Sequence, residues 1–345
     1  MDETVTHPDR SKIEIIAELA QGFEGKPMQA SLLVRAAARA GADAAKLQMV
    51  FADELATPGY KYYDLFRSLE MSDETWANLV TEARAQGIDL QVDIFGRRSL
   101  SLAEKVGIRT VKLHGTDIGN PGLLRDVAAS SIERALLGAG GAHRDEIASA
   151  IEILAGKQIV VLLGFQAYPT PTDTNRIDRV RHLADAFAGR RDITIGFADH
   201  ADPESPLWLA LASAAVGSGA RVIEKHLTLG RNMELEDFES ALNPDQFKEF
   251  SSTLRDVASA IGETTTAADY GMTDAETGYR KMIRRHVVAA RDLSAGETLS
   301  AQDIVLKRAD IDDPITAPAE VIGRKLVVPV KGNHALRRSD LEGSA

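Results

Sequence analysis

The chain has 345 residues, 44% of them hydrophobic, which allows a large core and two or three domains, although one α/β barrel takes about 250 residues by itself. With 51 acids against 40 bases the formal net charge is -11, which lacks the basic footprint of a nucleic-acid binder, and the absence of cysteine excludes disulfides, thiolate nucleophiles and Cys-based zinc sites. "MDETVTHPDR" is too polar for a signal peptide and no apolar run nears the roughly 18–20 residues of a membrane span, so a soluble cytoplasmic protein without membrane or nucleic-acid partners is expected.

Along the chain, short apolar runs alternate with longer helical patterns. The strand-like runs are "IEIIAEL" (13–19), "AAKLQMV" (44–50), "IDLQVDIF" (88–95), "TVKLHG" (110–115), "ALLGAG" (135–140), "QIVVLLGF" (158–165), "ITIGFAD" (193–199) and "RVIEKHL" (221–227). Between them lie stretches such as "QASLLVRAAARAG" and "SDETWANLVTEARAQG", several with Ser or Asp near the start and Gly at the end, the cap signals of a helix. Eight strands, each followed by a helix, predict a (β/α)8 TIM barrel over 1–262, with a doubly wound sheet as the alternative. The pattern then breaks. Residues 263–283 are polar and read as a linker with a helical turn. Residues 284–345 alternate strand-like pieces with Gly and Pro, a small β-rich domain near the limit of independent stability.

A barrel carries its chemistry on the C-terminal ends of its strands. That rule selects Glu18, Lys46, Gln48, Asp93, Lys112, His114 and Asp117 from the first four strands. Gln166 and Tyr168 follow the sixth, Asp199 and His200 the seventh, and Glu224 and His226 belong to the eighth. A lone histidine at a strand end is ordinarily structural. His200 and His226, however, end adjacent strands about 4.8 Å apart and can converge on one ion such as Mn, Fe, Co or Zn. Lys46 and Lys112 either pair with Glu18, Asp117 or Glu224, or form an anion site beside that ion. Alternation turns Glu224 and His226 inward and Lys225 toward the helices. "LLGAGGAH" (136–143) has the position of a phosphate-cradling loop but matches neither a P-loop nor GxGxxG, and a plain strand–helix turn is the simpler reading.

Taken in order, "IIAEL" (15–19), "GADAAKLQ" (41–48), "KLHGTD" (112–117), "AYPTP" (167–171), "GFADH" (196–200), "VIEKHLTL" (222–229) and "EDFESALNP" (236–244) resemble the sialic acid synthase family, the phosphoenolpyruvate-dependent nonulosonic acid synthases. "AARDLSAGETLSAQDIVLKR" (289–308) resembles the antifreeze-like SAF domain that follows the TIM barrel in that family. The resemblance implies condensation of phosphoenolpyruvate with the open chain of an N-acylated amino sugar, with release of phosphate. It assigns the metal, most often Mn2+ with Mg2+ or Co2+ as alternatives, to His200 and His226. Glu18, Lys46, Lys112 and Asp117 become the catalytic candidates, Glu18 for proton transfer or for positioning a nucleophilic water and the lysines for the donor. Gln48, Gln166, Tyr168 and Asp237 become substrate contacts. Arg308 falls on an arginine that serves the partner subunit's site, implying a domain-swapped homodimer.

Three positions depart from the family. Asp93, Gly115 and Gly138 stand where hydroxyl side chains surround the donor phosphate, and each lost hydrogen bond to a charged group is worth about 1.5–3 kcal/mol. Two other readings follow from them. One is a metal-dependent aldolase or lyase that does not use phosphoenolpyruvate, with Asp93 or His114 joining the two histidines. The other is a non-catalytic sugar-binding relative.

Overall fold

The computed structural model describes residues 12–164, 167–262, 267–312 and 315–343. Eight parallel strands close into a barrel: β1 (Glu14–Ala20), β2 (Ala44–Gln48), β3 (Asp89–Ile94), β4 (Thr110–Leu113), β5 (Arg134–Gly138), β6 (Gln158–Leu163), β7 (Ile193–Asp199) and β8 (Val222–His226). β8 pairs with β1 from Glu14↔Val222 to Glu18↔His226, which completes the ring. The expected TIM barrel is therefore the fold, and the doubly wound alternative is not.

The period of two along each strand sorts its side chains into two layers. Ile15, Ala17, Leu47, Phe197 and Ile223 join the large core that packs on the outer helices. Ile16, Ala44, Leu136, Val160, Leu162 and Val222 form a separate apolar plug inside the barrel. Below the plug Arg134 donates to Glu14 at 2.9 Å and closes the N-terminal end. Two residues further along the same strands the plug gives way to Glu18, Lys46 and Glu224. One step of the pleat thus converts the sealed floor into a charged layer.

Outside, helices span Pro27–Arg39, Asp73–Ala85, Arg97–Val106, Pro121–Ala129, Arg144–Ile153, Asp178–Ala186, Ala210–Gly217 and Pro244–Ile261. Ser72 caps Asp73–Ala85 by accepting from the Thr75 amide at 3.1 Å, as "SDET" suggests. The stretch 51–70 contains two short helices, Ala52–Leu55 and Tyr63–Ser68. Among the described residues no helix is long and apolar enough to cross a membrane.

The chain divides into two compact units after Thr264. The segment read as a linker holds a ten-residue helix, Asp274–Ile283, with a capping box between Thr273 and Glu276. In the second unit β9 (His286–Ala289) pairs antiparallel with β10 (Ile304–Lys307). Isolated bridges such as Leu293↔Val330 and Leu326↔Leu341 hold the rest around a core that includes Val287, Leu299, Val321 and Leu336.

Gly164 directly follows β6 at φ 143°, and a β-carbon there would fall on the Ala198 carbonyl oxygen. Backbone strain and overpacking together predict that Gly164→Ala costs about 2–5 kcal/mol. Gly141 also has positive φ but nothing within 4 Å, so Gly141→Ala costs about 1 kcal/mol. Urea unfolding of the two variants checks the contrast.

Candidate active site

The charged layer at the C-terminal end of the barrel is built from register pairs. Glu18 stands beside Lys46, Asp93 beside Lys112, and Glu18 beside His226. Lys46 donates to Glu18 and, at 2.6 Å, to Asp93, and lies 3.6 Å from Glu224. Lys112 donates to Glu224 at 2.6 Å and lies 3.8 Å from Glu18. All five side chains are buried. Three carboxylates therefore share two ammoniums in a medium where an unpaired charge is expensive.

This imbalance places a proton. Burial, with Asp93 and Glu224 nearby, raises Glu18 to about 7 despite Lys46 and Lys112. Burial would also raise Glu224, but Lys112 and Lys46 hold it down at about 2. Lys46 loses from burial and gains more from Asp93, Glu18 and Glu224, so it stays charged. Glu18 is thus the carboxyl that can exchange a proton near neutrality, and Glu224 is a fixed anion.

Next to this layer the ends of β7 and β8 deliver His200 and His226 with Nε2 atoms 3.2 Å apart. His200 Nδ1 lies 3.2 Å from the Ala198 carbonyl oxygen, which selects the tautomer with hydrogen on Nδ1 and a lone pair on Nε2. His226 Nδ1 lies 3.8 Å from an Asp237 carboxyl oxygen. Burial lowers His200 to about 4 and lowers His226 well below the usual range, so both rings are neutral at pH 7. The outward faces of the same strands are tied by Lys225, which donates to Asp199 at 3.2 Å and to the Ala201 carbonyl at 2.8 Å. The Tyr168 ring meets both imidazoles edge-on, with centroids 5.1 and 5.8 Å away.

The histidine pair fits a divalent ion. Two nitrogens each about 2.1 Å from one ion and at near right angles are about 3 Å apart, close to the separation found. Among the described residues no cluster of three or more His, Cys, Asp or Glu is spaced to hold an ion. Asp93 is engaged by Lys46, and His114 Nδ1 lies 3.3 Å from the Thr116 hydroxyl with its ring tilted against Phe95. Any further ligands would come from solvent or substrate.

Glu18, Gln48, Lys112, Tyr168, His200 and His226 line one cavity of about 250 Å3, together with Asp93, Glu224, Gly115 and Gly138. Lys46 supports its wall from within the barrel. Gln48 is oriented by Gln21, which donates to it at 2.8 Å. Asp237 stands behind His226 in the left-handed region, φ 63°, its carboxyl raised to about 7 by burial with Glu236 beside it. Asp117 is not among the lining residues: its carboxylate accepts from Thr116 and Asn120 in the turn after β4. Gln166 lies outside the described residues. Arg308 is exposed, directly after β10 in the second unit. Glu224 has a larger part than its sequence position suggested, because its partners Lys46 and Lys112 come from distant strands. Gln21, in the turn after β1, carried no motif signal.

Among proteins of known sequence, the spore coat polysaccharide biosynthesis protein SpsE of Bacillus subtilis is 30% identical over 85% of this chain and 83% of its own. The N,N'-diacetyllegionaminic acid synthase of Legionella pneumophila is 25% identical over 95% and 94%. Among solved structures, a putative spore coat polysaccharide biosynthesis protein E from Chromobacterium violaceum superposes with a TM-score of 0.80 at 24% identity, covering 96% of this chain and all of that one, a likeness of fold. The NeuB family model matches residues 33–266 and the SAF domain model residues 284–342. The chain therefore belongs to the NeuB family and carries a SAF domain after its barrel.

Proposed function

We propose that this protein is a carbon–carbon bond-forming synthase that adds an enolpyruvyl donor to the aldehyde of an open-chain, N-acylated amino sugar. The product is a nonulosonic acid. The donor that the family resemblance supports is phosphoenolpyruvate, with phosphate as the second product. The observation that carries the reading is a pair of neutral imidazoles lining one small cavity together with a proton-exchanging Glu18, the register neighbour of His226.

A divalent ion held by His200 and His226, manganese in the first instance, would supply Lewis-acid polarisation of the aldehyde oxygen. Lys112 presents its ammonium to the donor, and Lys46 holds Glu18 in place. Glu18 moves the proton. Gln48, Tyr168 and Asp237 orient the sugar, with Tyr168 excluding water above the imidazoles. The assembly proposed is a cytoplasmic homodimer in which Arg308 of each chain serves the other's site.

Mn2+ affinity measured by calorimetry is expected to fall at least about 100-fold in His200→Ala and in His226→Ala, and to survive in Asp93→Ala. Loss of the ion in Asp93→Ala would instead favour a two-histidine, one-carboxylate centre. Glu18 must be ionised to take a proton, and it holds its proton below about pH 7. The rate is therefore expected to drop as pH falls through about 7, and Glu18→Gln to lose both that limb and about 100-fold or more in kcat. For the dimer, mixing inactive Arg308→Ala and His200→Ala chains is expected to restore one working site in each heterodimer, about half the native activity per dimer. No recovery would mean that each chain serves its own site.

A further inference from the structure

The outward faces of β7 and β8 break their own pattern. A period of two gives Phe197 on β7, Ile223 on β8 and Leu227 just beyond it, all members of the large core. The same period puts Asp199 and Lys225 on that face, among apolar neighbours. Neither has any exposed surface, and Asp199 Oδ2 is buried without a hydrogen-bond partner among the described residues. Apolar residues of similar volume often serve a fold as well as such an ion pair, so stability gives no reason for it.

Its position gives one. The register of β7 on β8 runs from Gly196↔Val222 to Asp199↔Lys225 and stops one residue short of His200 and His226. Side chains continue where the ladder ends. Asp199 Oδ1 accepts from the Ala201 amide at 2.7 Å, which closes the chain around His200. Lys225 donates to the same Oδ1 at 3.2 Å and to the Ala201 carbonyl at 2.8 Å. The residue before His226 is thereby bound to both chain neighbours of His200. The His200 carbonyl is held as well, by the Thr170 amide at 2.8 Å and the Ser240 hydroxyl at 3.3 Å. On the inward face the two Nε2 atoms come out 3.2 Å apart. Ligands held in place before an ion arrives bind it more tightly, and groups behind the ligands commonly do the holding.

We propose that Asp199 and Lys225 are positioning residues, whose ion pair fixes the separation of the two imidazoles and with it the affinity and coordination geometry of the divalent ion. The inference rests on the reading of His200 and His226 as a metal pair. Neither Asp199 nor Lys225 lines the cavity, so the pair acts through the backbone on either side of the histidines.

The test compares full-length chains. Asp199→Asn combined with Lys225→Met removes both charges and the bridge at similar volume. Calorimetry is expected to show Mn2+ bound about tenfold or more weaker than by the native chain, with the urea midpoint of the metal-free protein preserved. With Co2+ in place of Mn2+ the visible absorption bands are expected to shift, because they report how the ligands are arranged around the ion. Glu14→Gln with Arg134→Met removes an ion pair from the opposite end of the barrel and is expected to change neither reading. If the methionine variant does not fold, Asp199→Asn with Lys225→Gln, whose amide falls short of the Lys225 ammonium position, makes the same comparison. Native-like Mn2+ affinity, unshifted Co2+ bands, or equal losses in the Glu14 and Arg134 variant overturn the positioning role; provided that His200→Ala loses the ion, they leave the metal pair standing. Mn2+ affinity unchanged in His200→Ala overturns the metal pair and this inference with it.

Discussion

Lys46 has no exposed surface, and its ammonium is shared among carboxylates delivered by three other strands: Glu18, Asp93 and Glu224. The charged layer at the C-terminal end of the barrel is arranged around that charge. A buried ion set is weak support for stability, because well-packed apolar residues of similar volume often do as well, whereas removing one partner costs about 3–5 kcal/mol. The barrel already has an apolar plug one pleat lower, so a further apolar layer was open to it. The charges are therefore better understood as equipment for handling a proton and an anion than as a stabilising device.

The same layer divides labour between two glutamates of one kind. Glu224 sits against both lysines and is held ionised, while Glu18 keeps its proton to about pH 7 because burial and two neighbouring anions outweigh Lys46. Beside them, burial keeps both imidazoles neutral, the state in which an imidazole can accept a metal ion. The Asp199–Lys225 pair ties the ends of β7 and β8 on their outer faces, at positions adjacent to the two histidines. A titratable carboxyl, a fixed carboxylate with its lysine partner and two neutral imidazole nitrogens thus line one small space, each tuned by its immediate surroundings.

Much of this was legible in the chain. The strand boundaries follow from short β-branched and aliphatic runs, and the site followed from the rule that barrel chemistry gathers at the C-terminal strand ends. Glu18, Lys112, His200 and His226 come together as that rule requires. Asp117 shows its limit: it lies in the right motif but beyond the strand, and Thr116 and Asn120 hold its carboxylate in the turn. The alternation that sends Lys225 outward and Glu224 inward was also readable, because a strand has a period of two.

Pairing across the barrel was not readable. That Glu224 would bind Lys112, 112 residues away, or that Asp93 would engage Lys46, depends on strand register and barrel closure, which no local pattern encodes. The glycines at 115 and 138 could be seen as missing hydroxyls, but only the approach of β4 to β5 shows that two carbonyl oxygens fill the space instead. By itself the sequence determined which chemical groups reach the rim, since strand periodicity and residue type are local. The tertiary structure alone decided which charges cancel, where the proton rests and what charge the cavity presents to a ligand, because these depend on distances between groups that the chain holds far apart.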